Sequence, residues 1–174
     1  MYKKYIKRLL DIIFSIIFII LLFPLGLIIM IITYFNLGRP IFNERKNREG
    51  MHKKTFIMYK FRTKKIGQEA FTKISKFIDI FRLNELPQLF NILKGDMSFI
   101  GPRPFIPNDD LPKDVISPKR YLVRPGIMGL AQANGGRKIT HHKKLEYDIL
   151  YYDNLSFLFD LKIFFKTFNI NNFK

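Results

Sequence analysis

One part of the sequence concentrates the residue types that can carry chemistry. Asn84 and Glu85 form an adjacent amide and carboxylate. A carboxylate can act as a general acid or base, as a nucleophile, or as a ligand to Mg²⁺. Arg103 follows between Pro102 and Pro104, which restrict the backbone on both sides. An arginine held in this way is suited to clamp a phosphate group.

Other polar side chains extend this group. Two basic residues, Lys60 and Arg62, alternate along a predicted strand and therefore fall on one of its faces. A third stands in an Arg-Pro-Gly turn, and an amide follows that turn. For each basic residue, a solvated or ion-paired surface charge is the alternative. Asp96, in a Gly-Asp-Met-Ser turn, is either a metal ligand or a turn residue. The candidate substrate-binding residues are Lys60, Arg62, Arg103, Arg124 and Gln132.

The composition favours a small membrane-associated protein with anionic partners. The chain has 174 residues, with 30 Lys and Arg against 14 Asp and Glu, and a formal net charge of +16. This length accommodates one catalytic domain beside a membrane segment. No cysteine is present, which excludes disulfides, thiolate metal sites and cysteine nucleophiles. No nucleic-acid-binding signature accompanies the basic residues, so we expect no nucleic-acid partner.

The N-terminal part of the chain is a long apolar segment. The run 12–35 carries no charge and, as a straight helix, would be about 36 Å long, against a hydrocarbon core of about 30 Å. Basic residues flank it on both sides, which favours a cytoplasmic position for both ends. Because Pro24 lies at its middle, we predict a re-entrant helix-break-helix element that enters and leaves one face of the membrane. A proline-kinked spanning helix is the alternative.

The remainder of the chain combines helices with a little β structure. Alternating apolar and polar residues predict a β-hairpin over 40–63. Helical periodicity predicts amphipathic helices over 70–81 and 85–93, and two more near the C-terminus, the last of which lies in a membrane interface or in the core. The predicted fold class is α+β. It comprises a re-entrant membrane element at 1–36 and a small, mainly helical cytoplasmic catalytic domain at 37–174, with interfacial helices.

Several motifs follow one another in a characteristic order. They are the proline of the apolar segment, the strand 59–63, the stretch 84–104 with its Gly-Asp-Met-Ser and Gly-Pro-Arg-Pro turns, the turn 123–126, and a Tyr-Tyr pair at 151–152. Together they resemble the bacterial sugar transferase family, the small monotopic phosphoglycosyl transferases. The resemblance covers nearly the whole chain.

This resemblance implies an enzyme that transfers a sugar-1-phosphate from a UDP-sugar to polyprenyl (undecaprenyl) phosphate and releases UMP, with Mg²⁺ as cofactor. It implies an early step of surface glycoconjugate assembly at the bacterial inner membrane, with the catalytic domain on the cytoplasmic face. Anionic membrane lipids and downstream glycosyltransferases are then further partners. In the family an Asp attacks the phosphoryl group nearer the sugar and the adjacent Glu helps to hold the metal, which assigns the metal ligand to Glu85.

Asn84 stands where the family has that Asp, which leaves the nucleophile open. A neutral amide is a poor nucleophile because its nitrogen lone pair is delocalised. Four explanations remain. The chain could be a natural variant that uses Glu85 or direct attack by the acceptor, or a catalytically silent homologue or scaffold that binds nucleotide sugar or lipid. A substrate-trapping substitution and a sequence error are the other two. Asp79 lies more than a helical turn upstream and is not an obvious replacement.

Overall fold

A long apolar helix and a helix-rich body make up the part of the chain that the computed structural model describes, which is residues 1–43, 47–67, 70–107 and 117–168. Two small two-stranded sheets accompany the helices in these ranges. The mixed, mainly helical architecture confirms the predicted α+β class in its coarse form.

The first helix, α1 (Lys7–Leu37), contains the whole apolar run. It is long and apolar enough to cross a membrane. One face packs on the body, where Ile29 is buried and Leu22 contacts a core cluster. The opposite face is bare, with Leu21 and Phe35 among its exposed side chains. Because α1 is apolar on both faces and covered on only one, the bare face requires a second apolar environment.

The helix continues through Pro24, where the sequence predicted a break. A proline inside a helix removes one N–H hydrogen bond and crowds the preceding turn, at a cost of about 3 kcal/mol. Packing offsets this cost, because Leu22 and Leu25 on either side of the proline contact core clusters of the same body. The re-entrant path is not confirmed by the continuous helix and stays a prediction.

Polar side chains attach both ends of α1 to the body. Near the start, Lys7 Nζ lies 2.6 Å from Asp160 Oδ2. Near the end, the Asn36 side-chain amide donates to Thr72 Oγ1 at 2.7 Å. The helix therefore lies along the body from end to end and does not project away from it.

A short hairpin follows α1. Strand β1 (Asn47–Glu49) pairs antiparallel with β2 (Thr55–Ile57). An isolated antiparallel bridge between Phe42 and Phe61 extends the pairing toward the ends of the hairpin. These pairs confirm the hairpin predicted over 40–63. Lys60 lies in its second arm, between β2 and the bridge at Phe61.

Helix α2 (Lys73–Ile80) confirms the first predicted amphipathic helix. Thr72 caps it, since the Thr72 side chain accepts a hydrogen bond from the Ser75 N–H and the Ser75 side chain accepts one from the Thr72 N–H. Ser75 and Ile78 are buried, and the opposite side of the helix faces outward. The helix therefore buries one stripe against α1 and the turn that follows it.

Helix α3 (Gln88–Lys94) confirms the second predicted helix with a later start. It begins after Pro87, so Asn84 lies in a separate 3₁₀ turn and does not cap it. Gly95 ends α3 with φ 99°, a left-handed conformation that glycine adopts without a steric penalty.

A parallel pair of strands joins two rigid turns. Strand β3 (Ser98–Ile100) pairs with β4 (Gly126–Met128), which the sequence did not predict. Their backbones approach so closely that a Cβ on Gly126 would lie 2.1 Å from the Gly101 nitrogen. Only glycine fits such an approach. The Gly-Pro-Arg-Pro and Arg-Pro-Gly turns therefore lie side by side.

Three further helices complete the body: α4 (Leu130–Ala133), α5 (His141–Asp153) and α6 (Phe157–Thr167). The core between them contains Tyr151, which is buried and donates to Asp160 Oδ1 at 2.8 Å. Helix α6 packs one side in the core, while its place in a membrane interface stays a prediction. It buries Ile163 in the core while the side chains of Leu158, Leu161 and Phe165 stay exposed.

Candidate functional site

A tight turn after α2 brings Asn84 back onto Asp79. Arg82 adopts φ 55° and ψ 22°, a left-handed conformation that is uncommon outside glycine, and it reverses the chain. Asn84 is buried to 1% exposure, and its Nδ2 donates to Asp79 Oδ1 at 2.6 Å. The Asn84 carbonyl accepts from the Phe61 N–H at 2.9 Å, which joins the turn to the hairpin. Asn84 is therefore fixed, and its amide nitrogen is directed at a carboxylate.

Glu85 lies beside two cations. Its Oε1 is 3.5 Å from Lys60 Nζ and its Oε2 is 3.8 Å from an Arg82 guanidinium nitrogen. Lys60 Nζ also lies 4.0 Å from Asp79 Oδ1. The structure thus brings the predicted site residues Lys60, Asn84 and Glu85 together and adds Asp79 to them.

A polar pocket of about 210 Å³ opens next to Glu85. We call this cavity the polar pocket. Basic side chains from three separate segments line it, and their positive charge suits the pocket to a diphosphate. One of them is Arg103, an exposed predicted site residue. The lining of the polar pocket includes Asn43, Arg48, Lys60, Glu85, Gln88 and Arg103.

A buried ion pair holds the segment that carries Arg103. Arg120 donates from Nε to Asp148 Oδ2 at 3.1 Å and from a terminal nitrogen to the Arg103 carbonyl at 2.8 Å. The Arg120 guanidinium also lies 3.3 Å from the centre of the Phe105 ring. Burial raises the pKa of the Asp148 carboxyl to about 6, although the charge of Arg120 acts to lower it.

The other predicted site residues lie elsewhere. Arg62 is buried and donates to the carbonyls of Leu37 and Gly38, both at 2.6 Å, so that it caps the end of α1. Arg62 contacts the end of α1, whereas Lys60 contacts Glu85, so the two side chains do not lie on one face. The substrate-binding role of Arg62 stays a prediction.

Arg124 and Gln132 also contact backbone. Arg124 Nε donates to the Gly95 carbonyl at 2.9 Å, at the end of α3. Gln132 Nε2 lies 3.5 Å from the Ile127 carbonyl, and Gln132 Oε1 is buried without a hydrogen-bond partner among the described residues. Neither side chain lines the polar pocket. Their roles toward substrate stay predictions.

A second, larger cavity adjoins the polar pocket. This apolar groove has a volume of about 1050 Å³ and lies between α1, the start of the hairpin and α3. Asn43, Met58 and Lys60 line both cavities. Pro24 itself is exposed, and Phe23 before it and Gly26 after it line the groove. Side chains that line the groove include Phe18, Leu22, Leu27, Ile41, Leu89 and Phe90.

Sequence reasoning considered Asp79 and set it aside, and it did not single out Arg48. Asp79 is five residues from Asn84, and only the left-handed turn at Arg82 makes the two meet. A positive φ at a non-glycine residue has no dependable sequence signal. Arg48 reaches the polar pocket from β1, and its place beyond a turn gave no reason to single it out.

Known proteins similar to this chain are sugar transferases. The uncharacterized sugar transferase EpsL of Bacillus subtilis (strain 168) is 38% identical over 169 residues, which cover 91% of this chain and 83% of the relative. A UDP-glucose:undecaprenyl-phosphate glucose-1-phosphate transferase of Klebsiella pneumoniae is 37% identical over 92% of this chain and 39% of its own length. A UDP-N-acetylgalactosamine-undecaprenyl-phosphate N-acetylgalactosaminephosphotransferase of Aeromonas hydrophila is 36% identical over 94% of this chain and 43% of its own length.

The chain therefore spans about two fifths of the length of the Klebsiella and Aeromonas relatives. The family description "Bacterial sugar transferase" matches residues 2–173. With nearly the whole chain matched, this protein belongs to the bacterial sugar transferase family.

Proposed function

We propose that this protein transfers a sugar-1-phosphate from a UDP-sugar to undecaprenyl phosphate and releases UMP. The observation that carries the proposal is the junction of the two cavities. Lys60, beside Glu85, lines both the polar pocket and the apolar groove. A reaction between a water-soluble diphosphate and a lipid phosphate requires such a junction, because the two phosphorus centres must meet while one partner keeps its chain in apolar surroundings.

The polar pocket is suited to the diphosphate of the donor. Arg48, Lys60 and Arg103 line it, and phosphoryl transfer depends mainly on positioning and on neutralising phosphate charge. The Arg120–Asp148 pair fixes the backbone of Arg103, which limits the entropy lost when Arg103 binds a phosphate. Arg124 and Gln132 are candidates for more distant parts of the donor.

The apolar groove is suited to the first isoprene units of the acceptor. Its side chains are almost all apolar, and α1 forms one wall. An isoprenoid chain carries no hydrogen-bonding group, so an apolar wall binds it without leaving polar atoms unpaired. In this arrangement the acceptor phosphate lies toward Lys60.

Mg²⁺ is the cofactor that we propose for the polar pocket, with Glu85 as its protein ligand. Within the described ranges no cluster of three or more His, Asp or Glu side chains could hold a metal alone. Glu85 still fits Mg²⁺, which is commonly bound by one or two carboxylates together with substrate phosphates and water. When bound, the ion neutralises charge on the diphosphate. Lys60 then orients the phosphate, and Arg103 holds the donor.

We also propose that α1 lies in the inner membrane as a re-entrant element with the body on the cytoplasmic face. Both ends of α1 contact the same body, and its outer face is bare and apolar. Exposed apolar side chains of α2 and α6, among them Phe77 and Leu158, add to the surface available to lipid. The net charge of +16 favours anionic headgroups. Downstream glycosyltransferases would receive the product.

A direct assay separates this function from that of a silent scaffold. Purified full-length protein in nanodiscs with undecaprenyl phosphate and Mg²⁺ is incubated with a panel of UDP-sugars, and UMP is measured. We expect acceptor-dependent UMP release with at least one donor, and loss of that release in a Glu85→Gln variant. Donor binding by calorimetry without UMP release from any donor would instead establish the scaffold.

A further inference from the structure

We propose that Asp79 is the catalytic nucleophile of this protein. The inference rests on the proposed function and assigns the role that Asn84 cannot fill. Asn84 carries no charge, is buried, and directs its amide nitrogen at another side chain. The side chain at the receiving end of that hydrogen bond is the carboxylate of Asp79, 2.6 Å away.

The two carboxylates of the site differ in their surroundings. The Glu85 side chain is 16% exposed and lies between Lys60 and Arg82, within 3.5 and 3.8 Å. The Asp79 side chain is 33% exposed and lies 4.0 Å from Lys60. Close cations on both sides stabilise the charge of the Glu85 carboxylate, which makes it the weaker nucleophile of the two. Asp79 is the more accessible carboxylate and has the weaker ion pair, which suits it to attack.

The contacts of Asp79 also orient it. Both the Asn84 amide and the Lys60 ammonium approach Oδ1. This leaves Oδ2 as the attacking oxygen, while the amide fixes the plane of the carboxylate. In this role Asn84 is a positioning residue, and its buried location is an advantage because solvent cannot compete for the hydrogen bond.

The reaction then proceeds in two displacements on one phosphorus. Asp79 Oδ2 attacks the phosphorus that carries the sugar, the P–O bond to the uridylyl phosphate breaks, and UMP leaves with the electron pair. The product is a mixed anhydride between the carboxyl group and the sugar phosphate. A phosphate oxygen of the lipid acceptor next attacks the same phosphorus. The acyl–phosphate bond breaks and restores the Asp79 carboxylate.

Chemical trapping in the wild-type protein tests this assignment. The protein is incubated with the UDP-sugar that supports UMP release, without acceptor, and is then reduced with borotritide, which converts an acyl phosphate into a tritiated alcohol. Trypsin cleaves after Lys76, Arg82 and Lys94, so Asp79 and Glu85 fall on different peptides, 77–82 and 83–94, each with one carboxylate. We expect tritium on peptide 77–82.

A variant and a control complete the experiment. Asp79→Asn should lose UMP release by about 10³-fold and lose the exchange of labelled UMP into UDP-sugar, while donor affinity by calorimetry changes by less than about threefold. Asp153→Asn, which removes a carboxylate that is paired with Lys119 and lines neither cavity, should leave both rates unchanged.

The outcomes separate the two proposals. The role of Asp79 is overturned if tritium appears on peptide 83–94. It is also overturned if UMP is released but neither tritiated peptide nor UMP exchange is found. Both results leave the proposed function standing. No UMP release by the wild-type protein from any donor overturns the proposed function, and the nucleophile with it.

Discussion

Lys60 Nζ lies 3.5 Å from Glu85 Oε1, and Lys60 lines both the apolar groove and the polar pocket. A single ammonium group therefore faces the place where the acceptor phosphate and the donor diphosphate would meet. In the proposed reaction, the flexible stem of Lys60 lets its ammonium group stay close to the negative charge as it moves from one phosphate to the other.

Replacing Lys60 should impair transfer more than binding. We expect Lys60→Met to lower kcat for UMP release by about 10²-fold, because the charge that neutralises the transition state is lost. The matched control is Lys143→Met, which removes an exposed lysine paired with Glu146 on the surface. Steady-state UMP release measures both variants. A Lys60→Met rate within about twofold of the control contradicts this role.

Filling the apolar groove should affect the lipid substrate alone. Gly26 lines the groove, and a Cβ placed on it meets nothing within 4 Å, so a larger side chain enters the groove without a clash. We expect Gly26→Leu to raise the KM for undecaprenyl phosphate about tenfold, since a few methylene groups carry that much binding energy. Gly26→Ala, which adds one methyl group, should have little effect. An unchanged acceptor KM in Gly26→Leu, or an equal rise in the donor KM, argues against the groove as acceptor site.

Both ends of α1 should lie on one side of the membrane. The chain has no cysteine, so single substitutions Lys4→Cys and Arg39→Cys create one label site each, at exposed positions near the two ends of the helix. We expect a membrane-impermeant maleimide to label both from the cytoplasmic side, in inside-out vesicles, and neither in intact spheroplasts. Labelling of the two positions from opposite sides would establish a spanning helix.

The buried Arg120–Asp148 pair should make stability depend on pH. The pKa of Asp148 is about 6 in the folded protein against an ordinary value of 3.8, so between these values the folded state binds more protons than the unfolded chain. Stability from this group is greatest below about pH 4 and falls as pH rises to about 6. The full loss is of the order of 3 kcal/mol.

Comparison with Asp148→Asn isolates this effect, because the other titrating groups are common to both proteins. We expect the free energy of unfolding of the wild type to fall relative to that of Asp148→Asn from pH 4 to pH 6. Above about pH 7 the difference between the two proteins should be constant. Denaturant unfolding followed by circular dichroism measures it. A difference that does not change with pH contradicts the raised pKa.

The elements that the sequence predicted well are those with local signals. The apolar run, the helices at 70–81 and 85–93, and the hairpin all follow from the spacing of apolar residues. Such patterns need no knowledge of distant parts of the chain.

The features that were missed depend on long-range or unusual backbone geometry. The parallel pairing of β3 with β4 joins residues that are distant in sequence, and two glycines permit it. Lys60 and Arg62 were expected on one face, yet Arg62 turns to the end of α1, where unpaired carbonyls accept its protons. Asp79 entered the site only through the turn at Arg82.

The fate of the sugar-linked phosphate tests the central claim most directly. A UDP-sugar labelled with ³²P in the phosphate next to the sugar is incubated with protein, Mg²⁺ and undecaprenyl phosphate, and the mixture is extracted with organic solvent. Transfer of a sugar-1-phosphate predicts that the label enters the lipid phase together with the sugar, in amounts equal to the UMP released. Label that remains in water as UDP while the sugar enters the lipid phase would contradict the account.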